Sequence, residues 1–135
     1  MADVILDLRP PNVTIKFDVG KTIKPIFYYL SPANAVIDLA SYKARMQVRA
    51  DYASTDKIWD LTTENAGLSI VTGTATLDDG TTVANAQGIK LNITATQTAA
   101  VTWTTAVYDI ELIEPGLDVL PLIKGVLQAN PEVTR

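Results

Sequence analysis

The chain reads as an all-β domain, an antiparallel β-sandwich, and three observations predict it. Apolar and polar residues alternate strictly over 12–19, 42–49 and 88–94, the pattern of strands with one buried and one wet face. Turn-forming clusters separate such runs, among them Gly20, Ser31-Pro32-Ala33-Asn34, Asp78-Asp79-Gly80 and Pro115-Gly116. Only one stretch, near residues 95–101, has helical character, and it is long enough for a turn or two.

The first eleven residues form an arm separate from a single domain at 12–135. Val4, Leu6 and Leu8 share one face of an extended chain, and Pro10-Pro11 stiffen the junction with the domain and remove two backbone donors. Such an arm is expected to reach a neighbouring protein and add to an exposed sheet edge; the alternative is an ordinary first strand. In 12–19, Val13, Ile15, Phe17 and Val19 point inward. Residues 22–30 form a further strand, at an edge or bulged, because Pro25 lies inside it. In 42–49, Tyr42, Ala44, Met46 and Val48 face the core, while Lys43, Arg45, Gln47 and Arg49 make a solvated or salt-bridged outer face.

Residues 57–61 are a short strand, and 68–71 another, with 74–77 as its hairpin partner across Gly73. Ile89, Leu91 and Ile93 point inward from 88–94. Thr94 or Thr96 caps the helical turn, and Trp103 plugs one end of the core. The last element is a hairpin about Pro115-Gly116, with Tyr108, Ile110, Leu112 and Ile123 turned to the core. Ungapped pairing sets Asp109 opposite Lys124, Val107 opposite Val126, Glu111 opposite Leu122 and Ile113 opposite Leu120. Val107, Ile113, Leu120, Leu122 and Val126 then give the hairpin a second apolar face, which needs cover from another subunit or from a loop of the same chain.

Composition narrows the function. The chain has 135 residues, 47% hydrophobic and 19% charged, which suits one globular core. It has neither cysteine nor histidine, so thiol chemistry, His-based triads and the commonest zinc ligands are excluded. A net charge of −4 and a pI near 4.6 oppose binding to nucleic acid or to an anionic membrane. No apolar run is long enough to cross a bilayer, and the start lacks the pattern of a signal peptide. Asp78-Asp79-Gly80 is not followed by the acid a calcium loop requires and reads as a turn. Asp109 and Glu111 share a strand face, a pairing that glycosidases use but that any strand with one polar face also produces. No cofactor is expected, and no enzyme.

One resemblance carries the reading further. Val36-Ile37-Asp38-Leu39 precedes a strand that closes on Val48-Arg49; Trp59-Asp60-Leu61-Thr62-Thr63 precedes Gly67-Leu68-Ser69-Ile70. Ala95-Thr96-Gln97-Thr98-Ala99-Ala100, Tyr108-Asp109-Ile110-Glu111-Leu112, Gly125 and the final Val133-Thr134-Arg135 come next, in order. In this order the motifs resemble a family of small structural proteins of tailed bacteriophages, found as baseplate, tail-fibre-attachment and neck or capsid accessory modules. Ala40-Ser41 stands where the family has Thr-Gly, and Leu120-Pro121 where it often has an Arg. The resemblance implies an immunoglobulin-like or related β-sandwich and a non-enzymatic virion component, made in the host cytoplasm. Its partners would be other virion proteins and repeated copies of itself. The leading role is in the tail or baseplate; the alternatives are a capsid decoration protein and, from another class, a carbohydrate-binding module with an exposed aromatic platform.

Overall fold

In a computed structural model, residues 12–31, 33–77, 79–116 and 118–131 are described. Of the described residues, 56% lie in strands or bridges and 4% in helix, in two sheets with no barrel. The strands are β1 (Asn12–Asp18), β2 (Ile26–Tyr28), β3 (Lys43–Arg49), β4 (Trp59–Thr62), β5 (Leu68–Thr76), β6 (Thr82–Leu91), β7 (Thr105–Ile113) and β8 (Val119–Asn130), with one helix, α1 (Ala95–Ala99), between β6 and β7. A five-stranded sheet runs β1-β8-β7-β3-β4, and a three-stranded sheet runs β2-β6-β5.

Period-two alternation decides which side chains meet. From the larger sheet Ile15, Phe17, Ala44, Met46, Val48, Tyr108, Ile110, Leu112 and Leu127 enter one cluster with Leu68, Ile89 and Leu91 of the smaller sheet. Leu39, in the segment between β2 and β3, joins them with no exposed surface. Its backbone N–H donates to Gln87 Oε1 at 2.6 Å, so the segment is tied to β6. β2 is a three-residue edge strand, in keeping with Pro25 just before it.

Three expectations are corrected. Residues 74–77 are not a hairpin partner of 68–71; 74–76 continue the same strand, β5, which carries an irregularity between Gly73 and Ala75. Gly73 marks a close approach, not a turn, since a Cβ there would land on the Tyr28 hydroxyl. The turn lies after β5, where Leu77 N–H donates to the Thr81 carbonyl and Gly80 takes a φ of +85°. The strand expected at 88–94 therefore begins at Thr82. Finally, pairing is not antiparallel throughout: β1 runs parallel to β8, from Asn12 opposite Lys124 to Asp18 opposite Asn130.

The helical turn forms where the sequence places it. Thr94 caps α1, its hydroxyl accepting from Gln97 N while Gln97 Oε1 accepts from Thr94 N at 2.9 Å, a reciprocal capping box. Thr98 is fully buried, and its hydroxyl donates to the Lys21 carbonyl at 2.7 Å and accepts from Gly20 N–H at 3.1 Å. That pair of bonds anchors the turn after β1 to the helix.

Candidate assembly surface

The outer face of the five-stranded sheet is built from residues that alternate with the core. Across its middle, Asp109 on β7 lies between Gln47 on β3 and Lys124 on β8; one step on, Glu111 faces Arg45, and one step back, Val107 faces Arg49. Arg45 Nε meets Glu111 Oε2 at 3.2 Å, with both side chains partly exposed. Arg49 is spent locally, donating to the Ser54 carbonyl and to Gln47 Oε1, each at 3.0 Å. Arg45 and Arg49 of β3 therefore stand among a carboxylate, an amide and a backbone carbonyl, as expected of a solvated or salt-bridged face. Asp109 is exposed, yet its carboxyl is held above the usual carboxylate range. Neighbouring strand atoms strip part of its hydration and Glu111 adds like charge, against the weaker pull of Arg49 and Arg45.

Beneath this face a close crossing joins three strands. Tyr108 on β7 pairs with Gly125 on β8, which pairs with Val13 on β1. Gly125 leaves the room, because a Cβ there would collide with the Val13 carbonyl oxygen. Tyr108 spans the gap, and its hydroxyl donates to that same carbonyl at 2.7 Å. The ring is 2% exposed, and burial, with the nearby Tyr52 as a smaller cause, pushes the phenol up to about 12. Sequence reading placed Tyr108 in the core and missed this crossing, for which the only signal was a glycine inside an otherwise apolar strand.

The hairpin register differs from ungapped pairing. Asp109 opposite Lys124 and Val107 opposite Val126 hold, but the ladder shifts between Ile110 and Glu111, so Glu111 faces Pro121, Leu112 faces Leu120 and Ile113 faces Val119. Proline has no N–H to give the ladder, and here it lies beside a bulge, beyond the span that β1 covers. The extra residue sends Leu120 and Leu122 to pack against the core. Of the expected outer apolar set, Val107, Val126 and Ile113 stay half-buried on the outer side, and Val119, 46% exposed, takes the place expected of Leu120. Val4, Leu6 and Leu8 lie outside the described residues.

Other chemistry finds little support in the geometry. Among the described residues no group of His, Cys, Asp or Glu converges to hold a metal ion. Trp59 and Trp103 are half-buried and meet edge to face at 5.8 Å, with Phe17 packed against both. Two grooves, of about 480 and 490 Å³, are lined by apolar and hydroxyl residues without a carboxylate or amine: one beside Val19, Val101 and Trp103, the other beside Ile26, Tyr29 and Leu122. Asp109 and Glu111 line a depression of about 250 Å³ with Arg45 and Gln47, where Arg45 already engages Glu111. Comparison with protein-family models finds no match, and neither does comparison with curated proteins.

Proposed function

We propose that the chain is a non-enzymatic structural subunit of a tailed-bacteriophage particle, in the tail, baseplate or fibre attachment, and that it assembles through repeated copies and other virion proteins. The observation that carries the reading is the order of the resembling motifs: the segment through Asp38-Leu39 leads into β3, the Thr-Gln-Thr-Ala turn is α1, and Tyr-Asp-Ile-Glu-Leu is β7. The strand order adds support for an immunoglobulin-like sandwich, since β8-β7-β3-β4 facing β2-β6-β5 corresponds to strands G-F-C-C′ facing B-E-D. Val107, Ile113 and Val126, with the arm residues Val4, Leu6 and Leu8, are the proposed contacts to neighbouring subunits.

A carbohydrate-binding module is disfavoured. Its aromatic platform needs open, coplanar ring faces, and Trp59 and Trp103 are half-buried and packed edge to face, with Phe17 against both. The test is to purify particles of the phage that encodes the chain and label them with an antibody raised against it. Label on the tail or baseplate is the expected outcome. Label over the head assigns a decoration role instead, and particles free of the protein defeat the virion reading.

A further inference from the structure

The smaller sheet ends in an edge that lacks the usual protection. In β6, Leu91 N–H donates to the Pro25 carbonyl and the Gln87 carbonyl accepts from Tyr29 N–H, so these residues bond toward β2. Asn92 N–H bonds the other way, to the Gly67 carbonyl at 2.9 Å. The alternation of an antiparallel ladder then fixes β5. Ser69, Val71 and Gly73 turn their backbone groups to β6, whereas Ile70 and Thr72, which follow the buried Leu68, turn theirs to the side on which no strand lies among the described residues.

The edges differ in how they are blunted. β2 has three residues and comes directly after Lys24-Pro25, β4 has four residues with Asp60 among them, and β1 carries Lys16 and Asp18. Short length, charge and proline each discourage pairing with another chain. β5 has nine residues, Leu-Ser-Ile-Val-Thr-Gly-Thr-Ala-Thr, with no charge and no proline, and its irregularity comes only after Gly73.

We infer that β5 is a strand-addition site whose occupant is β5 of a second copy of this chain, antiparallel about a two-fold axis at Val71. In that register Ile70 pairs with the partner copy's Thr72 and Thr72 with the partner copy's Ile70, and the buried Leu68 takes no part. Ile70 and Thr72 each give one N–H and accept at one carbonyl, so the edge is self-complementary, as an isologous interface requires. The two three-stranded sheets become one continuous sheet, and neither core is disturbed. This contact deepens the proposed assembly and rests on it only in that copies of the chain meet; pairing in solution and position in a particle are read separately.

The test joins sedimentation with amide exchange on the full chain. The wild type is expected to dimerise as concentration rises, with the Ile70 and Thr72 amides becoming protected in step. Thr72→Pro removes an N–H that the chain's own ladder does not use, and is expected to abolish the dimer while the monomer stays folded. A wild type that is monomeric throughout, or a dimer that survives Thr72→Pro, overturns the inference. Should Thr72→Pro fail to fold, the wild-type exchange decides: rapid exchange at those two amides at every concentration also overturns it.

Discussion

At the scale of single residues, the crossing of Tyr108 over Gly125 onto Val13 is the most tightly specified contact in the larger sheet. Gly125→Ala is expected to destabilise the fold by about 1–3 kcal/mol in urea titration, because the added methyl must displace the β1 carbonyl. Tyr108→Phe keeps the ring and loses the hydroxyl bond, a cost on the order of 1 kcal/mol. The phenol also makes stability depend on pH. Its ordinary value is 10.0 and the folded value about 12, so between them the unfolded chain releases a proton that the folded chain keeps. Stability is therefore full below pH 10 and falls as the pH rises toward 12, and Tyr108→Phe is expected to flatten that part of the curve. Asp109 has the same sign at acid pH. With its carboxyl raised in the fold, ionisation works against folding, so Asp109→Asn is expected to raise the melting temperature slightly at pH 7 and to lose that advantage in acid.

At the scale of elements, legibility tracked how local the determining signal was. α1 was readable because Thr94 and Gln97 bond to each other's backbone within one turn. Thr94→Ala is expected to cost about 0.5–2 kcal/mol, measured by chemical denaturation, since the Gln97 N–H loses its hydroxyl acceptor. β3 was equally plain, with Ala44, Met46 and Val48 buried and the residues between them outside. The hairpin register was not legible beyond Ile110, because counting positions assumes one residue per rung and Leu122, which has no partner on β7, breaks that rule. β5 was divided in two because Gly73 looks like a turn in sequence. Its actual role, admitting the Tyr28 ring from a strand far away in the chain, is non-local. The early part of β6 was missed for a related reason: Thr82-Val83-Ala84-Asn85 does not alternate, and Asn85 takes a φ of +59°.

At the scale of the whole molecule, an all-β architecture with one core was predicted from alternation and turn spacing, and the core residues Ile15, Phe17, Ala44, Met46, Val48, Ile89, Leu91 and Ile93 were named correctly. Leu91 has no exposed surface, and Leu91→Ala is expected to cost about 2–5 kcal/mol, read as a shift of the urea midpoint. The parallel pairing of β1 with β8 could not be read from sequence, because alternation gives a strand its faces but not its neighbours. The candidate surface divides in the same way: its polar outer face came from period two, while the edge of β5 emerged only when the three-dimensional order of strands showed which one lies outermost. The central claim is that this chain is a repeated structural part of a virion, and a cryo-electron-microscopy reconstruction of the intact particle tests it most directly. The account predicts density for this two-sheet subunit in symmetry-related copies at the tail or baseplate. A well-resolved particle in which no density fits the chain would contradict it.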